Sequence, residues 1–187
     1  MRKDLGVKSW LFPMPVLIIG TYDENGVPNA MNAAWGSMYD YNQVTVSLGS
    51  HVSTDNIRKS KAFTISFATK ETVEASDFVG IVSLAKEPKK LIKAGLTPVK
   101  SEKVNAPLFK EYPVTLECKL NSIEGEMGEG ATVVGDIVNI SVDESVLTDG
   151  KLDFNKFHPI AFDPANNKYR LVGEEVADAF KVGLSLK

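Results

Sequence analysis

Between Asn25 and Asn56 the chain gathers side chains suited to holding a ligand. Ser47, Ser50, His51, Ser53 and Thr54 bring hydroxyls and a ring nitrogen to the point where a helix is expected to start, Asn56 follows in its first turn, and Arg58 lies one turn farther on. Free amides and the positive end of a helix dipole favour an anion at such a place. Ahead of them, Asn29-Ala30-Met31-Asn32-Ala33-Ala34 is a run of small and amide side chains over which a flat ring could lie, with Met31 and Trp35 as larger walls. Taken singly, each feature has a plainer explanation: a serine caps many helices, and a small-residue strand can simply pack under a helix. Their order shifts the balance toward a planar ligand bearing a phosphate. A small-residue strand is followed by a hydroxyl-faced strand, a capped helix and a second hydroxyl-faced strand.

The elements that must position these residues can be placed from periodicity. Val16 to Tyr22 is an apolar, β-branched run ending in Asp23-Glu24-Asn25-Gly26, a strand closed by a hairpin turn. Its lack of alternation implies burial on both faces, inside a closed barrel or beneath a partner subunit. The return strand is expected over Pro28 to Trp35. Gln43 to Leu48 alternates Val44, Val46 and Leu48 with Thr45 and Ser47, and Ala62 to Ala68 repeats the pattern with Phe63, Ile65 and Phe67. Between them Ser53 to Ser60 is a short helix with Ser53 as its N-cap. Further helices are expected over Glu71 to Phe78, ending at Gly80, over Lys86 to Lys93, ending at Gly95, and over Glu174 to Val182. Leu96 to Pro113 is an extended excursion, and Val114 to Ile123 and Ala131 to Val142 are long strands joined by the Glu-Gly-rich turn 124–130. Pro159 to Phe162 and Lys168 to Val172 are short strands. Many strands with short inserted helices argue for a mainly β, antiparallel Greek-key barrel with peripheral helices, built as one domain over 1–187. No glycine-rich dinucleotide fingerprint follows any strand, which excludes a Rossmann site.

Composition removes several function classes. A formal net charge of −3 gives no basic surface for nucleic acid. Lys86, Lys89, Lys90 and Lys93 cluster, but beside Leu84, Leu91 and Ile92 they fit the solvated face of a helix. The single Cys118, in an alternating strand, is expected to be a buried structural thiol. His51 and His158 lack the spacing of a metal site, so no protein-bound metal is expected. Trp10-Leu11-Phe12 and Val16 to Ile19 are interrupted by Pro13 and Pro15 and form neither signal peptide nor membrane span, which gives a cytoplasmic expectation.

A bound flavin mononucleotide (FMN) needs backbone amides or neutral side chains along its ring and hydroxyls, amides and a cation at its phosphate, and both are available. PNAMNAAWGS, then VTVSLGSHVSTDNIRKSKAFTISFA, DFVGIVS and APLFKEYPVTLECKL resemble the flavin reductase-like family of FMN-binding split barrels, especially its flavoredoxin branch, over about Pro13 to Gly183. The resemblance implies a homodimer of split β-barrels, each holding FMN noncovalently near the dimer interface. It implies that Asn29, Ala30, Met31, Asn32, Ala33 and Ala34, beside Trp35, contact the isoalloxazine, that Ser47, Leu48 and Gly49 lie next to it, and that Ser50, His51, Ser53, Thr54 and Asn56 approach the ribityl phosphate. Relatives often carry a basic residue and a threonine at the places of His51 and Ser53.

In such a protein the cofactor carries the chemistry and no protein residue need be catalytic. Three functions remain open: an FMN-dependent oxidoreductase of the flavin reductase type, reduced by NAD(P)H or by a redox protein; a flavoredoxin-like electron carrier without nicotinamide activity; and a split-barrel binding protein without redox activity. Asp55 and Asp77 are explained by a helix start and a helix end, Trp10 and Trp35 by packing, and His158 by its place before Pro159.

Overall fold

A computed structural model describes residues 1–187. In chain order the elements are β1 (Met14–Pro15), β2 (Leu17–Tyr22), β3 (Pro28–Ala33), β4 (Gly36–Asp40), β5 (Gln43–Leu48), α1 (Val52–Ser60), β6 (Ala62–Phe67), α2 (Val73–Ile81) and α3 (Lys90–Lys93). There follow β7 (Pro98–Lys100), β8 (Pro107–Phe109), β9 (Val114–Glu124), β10 (Ala131–Val142), β11 (Leu147–Thr148), β12 (Lys151–Leu152), α4 (Phe154–Phe157), β13 (Ile160–Asp163) and β14 (Lys168–Leu171).

One antiparallel seven-stranded sheet, in the order β3-β2-β6-β9-β10-β5-β4, forms the body. Its two end strands are consecutive in the chain, separated only by Ala34 and Trp35, and the Ser47 amide donates to the Trp35 carbonyl at 2.8 Å. The sheet therefore curls back on itself into a split barrel, in which β3 and β4 act as one bent strand. Alternation sets the interior: Leu17, Ile19, Met31, Val44, Val46, Leu48, Phe63, Ile65, Leu116, Cys118 and Val133 pack inside, plugged by Ile57 of α1.

The doubly apolar first strand has its explanation within one chain. Leu17 and Ile19 face the interior, while Val16 and Ile18 lie in a second core with Ala30, Val79 of α2, Leu91 of α3, Phe109 and Ile160. The excursion 96–113 supplies β7 and β8, and Thr64 Oγ1 donates to the Pro107 carbonyl at 2.6 Å to seat it on the sheet.

Several local expectations need correction. The return strand stops at Ala33 before Trp35, and β4 was not anticipated, because a bend at Ala34–Trp35 interrupts the alternation. α1 begins at Val52 with His51 at the N-cap position, so Ser53 lies inside the first turn. α2 runs through Gly80, which serves packing: a Cβ there would stand 2.9 Å from Asn32 Cβ, and only glycine lets the helix lie this close to β3. Pro88 limits the next helix to the single turn Lys90–Lys93. No α-helix forms over 174–182; a 3₁₀ turn at Val182–Leu186 is the only tail element, and Val176 and Phe180 are exposed. A segment of that length has too few internal bonds to hold a helix without a surface to pack on.

Candidate functional site

The predicted ligand stretch does not collapse into one pocket. Two segments, Asn29 to Ala34 and Ser47 to Ser53, border two cavities at their opposite ends. At one end a cavity of about 150 Å³ is lined by Asn29, Met31, His51, Val52, Ser53, residues 79–84 and Lys90. At the other a larger cavity of about 690 Å³ is lined by residues 8–15, Ala34, Trp35, Gly36, Ser37, Thr45 and Ser47.

The small cavity is rich in hydrogen-bond donors. α1 has no side-chain cap, and the Val52 and Ser53 amides find no acceptor in the protein. Asn29 is 2% exposed; its Nδ2 donates to Ser53 Oγ at 3.0 Å while its Oδ1 is buried with no partner. Ser53 accepts that bond and keeps its own proton free. Lys90, also 2% exposed, donates from Nζ to the Ala30 carbonyl at 2.7 Å, which leaves two N–H groups of its ammonium for something else. Burial pulls the Lys90 ammonium down to about 8. A desolvated cation, two helix-start amides and a hydroxyl converging on one small cavity make an anion site. The orphaned Asn29 oxygen asks for a donor such as a hydroxyl next to that anion. The residues present thus fit the phosphate and adjoining polyol of a sugar phosphate.

The remaining residues divide clearly. Met31 packs in the barrel core and also lines the small cavity, and Ala33 packs against the core from its edge. Ala30 lies in the outer core. Asn32 faces α2, donating Nδ2 to the Ser76 carbonyl at 3.0 Å. Leu48 points into the barrel, so its outward contribution is backbone only. His51 is exposed and its ring covers Gly49, where a Cβ would meet Nε2 at 3.0 Å. Three side chains of the expected phosphate group are committed elsewhere: Ser50 Oγ to the Gly128 carbonyl at 2.6 Å, Thr54 Oγ1 to the Gly49 carbonyl at 2.8 Å, and Asn56 Nδ2 to Thr21 Oγ1 at 3.1 Å. Arg58 does not line either cavity, and its Nε and Nη2 are buried without partners.

Lys90, which the sequence pattern places on a solvated helix face, is instead buried and lines the small cavity. Ile92, assigned to the apolar side of a longer helix, is 77% exposed, while Lys90 is buried. The sequence signal was Pro88, which limits the helix to one turn and removes the periodicity used to orient it. Trp10 and Trp35 also depart from a packing role, being 42% and 60% exposed along the large cavity.

Residues 9–161 match the model of the flavin reductase like domain. The chain belongs to the flavin reductase-like family. The solved flavoredoxin of Desulfovibrio vulgaris (Miyazaki F) is 36% identical, with a TM-score of 0.91 over 98% of this chain and 100% of that one. The flavoredoxin from Methanosarcina acetivorans is 26% identical, with a TM-score of 0.87 over the whole of both chains. A curated but uncharacterized protein of Archaeoglobus fulgidus is 31% identical over 83% of this chain and 87% of its own length. No helix of this family member is long and apolar enough to cross a membrane.

Proposed function

We propose that the protein is an FMN-dependent oxidoreductase of the flavin reductase type, holding one FMN noncovalently per chain. The observation that carries this reading is the buried Lys90 ammonium beside the uncapped start of α1, a cavity with donors in excess and one orphaned acceptor. Lys90, Ser53 and the Val52 and Ser53 amides would hold the phosphate. Asn29 would accept from a ribityl hydroxyl through Oδ1. The ring would run along the backbone between Asn29 and Ala34 toward Trp35 and Ser47, where the large cavity leaves one side approachable. When bound, the flavin supplies hydride and electron transfer. The protein's work is to bind it, keep water from its anionic end and leave its ring accessible to a reactant.

Membership of the family and the large cavity beside the ring path favour NAD(P)H as the donor. The 36% identity to a flavoredoxin favours a second reading, an electron carrier served by a redox protein. Anaerobic addition of NADH and NADPH to the FMN-loaded protein separates them. Bleaching of the flavin bands with saturable kinetics is expected; bands that stay oxidised would leave the carrier. We further propose a homodimer, since Met38 and Tyr39 on β4 and Tyr41 after it are exposed together. Light scattering on the FMN-loaded protein is expected to give twice the chain mass, and a monomer mass would refute it.

A further inference from the structure

The far end of α1 borders a cavity of a different kind. A bowl of about 600 Å³ lies between the last residue of α1, the start of β6, the loop 101–106 that joins β7 to β8, and Lys119 and Leu120 of β9. Lys61, Lys100, Lys103 and Lys119 line it, with Glu102 as its one carboxylate, on a chain whose formal net charge is −3. All four lysines are exposed and none is in an ion pair. The two carboxylates beside Lys119 in the sheet are committed to neutral partners. Glu117, two positions earlier on β9, is buried and accepts from Ser101 Oγ and from Asn139 Nδ2. Asp136, opposite Lys119 on β10, accepts from Gln43 Nε2 at 2.7 Å and Asn121 Nδ2 at 3.1 Å.

The backbone that carries the lysines is fixed. Ser101 Oγ accepts from the Lys103 and Val104 amides at 2.9 and 3.0 Å, Val104 and Ala106 pack on Ala62, and the Lys61 carbonyl accepts from the Leu120 amide at 2.9 Å. Lys61 stands just after α1 in the left-handed region, at φ 57°, where glycine is favoured. The negative end of α1 accounts for a cation there. It does not account for Lys100, Lys103 and Lys119, which lie on strands and a loop. Like charges held on a fixed backbone repel, and an anion between them relieves the repulsion.

We propose that Lys61, Lys100, Lys103 and Lys119 form a second anion site, for a small molecule bearing linked phosphates, for which tripolyphosphate is the probe. Lysine binds phosphate as a point charge, and the bowl has the size of a small-molecule site. Its apolar lining is limited to Ala62, Val104 and Leu120, so charge, not ring stacking, is what it recognises. A bowl, unlike a basic stripe, gives nucleic acid no track to follow. The small cavity lies at the opposite end of α1, about 13 Å away along the helix. The assignment does not depend on where a flavin lies.

The test is isothermal titration of the protein with tripolyphosphate in saturating FMN. One site per chain is expected, weakening at least about tenfold between about 10 mM and 150 mM salt. The double variant Lys100→Ala/Lys103→Ala is expected to bind at least about tenfold more weakly. Lys61→Gly is expected to bind several-fold more weakly while its urea midpoint is equal or higher, because glycine suits that backbone. Lys86→Ala/Lys89→Ala, which removes two lysines outside the bowl, is expected to bind like wild type. Absence of binding, or equal weakening by both double variants, would overturn the assignment. So would binding that FMN displaces, which would put the probe in the small cavity, or a hexaglutamate peptide that binds more tightly than tripolyphosphate, which would make the bowl a docking point for an acidic protein.

Discussion

Replacing Lys90 with methionine separates what a buried ammonium costs the fold from what it gives the ligand. Its fall from the ordinary 10.5 to about 8 corresponds to about 3 kcal/mol favouring the neutral amine in the folded chain. The sign follows from proton binding: between about pH 8 and 10.5 the unfolded chain holds the Lys90 proton and the folded chain does not. Stability therefore rises with pH across that window. Lys90→Met removes the rise. It also leaves the Ala30 carbonyl without its 2.7 Å partner, at a cost of about 1–3 kcal/mol that does not vary with pH. The difference in stability between wild type and variant, measured by urea unfolding of the flavin-free proteins at pH 7 and pH 10.5, is expected to move by about 3 kcal/mol in favour of wild type at the higher pH. For FMN the consequence is opposite in sign. Loss of a charge-assisted bond to the phosphate is expected to weaken affinity at pH 7 by about 10- to 100-fold. Wild-type affinity is expected to fall as pH rises above about 8, while that of the variant stays flat over the same range. A variant that binds FMN like wild type, or a stability difference that does not move with pH, would refute the placement of Lys90.

Asn29→Ala removes the partner of Ser53 and the orphaned oxygen together; FMN affinity is expected to fall at least about tenfold, with the far-UV circular dichroism spectrum preserved. Gly80→Ala would gain helix propensity but set a methyl against Asn32, so a net destabilisation of about 1–2 kcal/mol in urea titration is expected, together with weaker FMN binding as α2 lifts from β3. Cys118 is fully buried, and its thiol is pushed up to about 12 by burial and then by the neighbouring Asp136 and Glu117 carboxylates. It should resist a disulfide reagent at pH 8 in the native protein and react once per chain in denaturant.

The barrel strands were legible because alternation is a local signal. Val44, Val46 and Leu48, or Phe63 and Ile65, declare an inner face without reference to the rest of the chain. The closure of the sheet was not readable, since it depends on a two-residue bend at Ala34–Trp35 and on the bond from Ser47 back to Trp35. The candidate site was legible as a stretch and not as a set of side chains. Polar side chains at a helix start look alike in sequence, whether they line a cavity, as Ser53 does, or stitch the fold, as Ser50, Thr54 and Asn56 do. Lys90 lay outside the stretch altogether. Its role requires a contact sixty positions away in the chain, with Ala30, which no local pattern encodes. The terminal GEEVADAF segment shows the converse, a helical pattern with nothing to pack against.

On this reading the small cavity at the start of α1 holds a phosphate. Parallel titration of the flavin-free protein with FMN and with riboflavin tests it most directly, because the two ligands share the ring and the polyol and differ only in that group. FMN is expected to bind with a stoichiometry of one per chain and at least about 100-fold more tightly than riboflavin, the gap expected when charge-assisted bonds from Lys90 and the helix start are lost together. Equal affinities for the two flavins would contradict the claim.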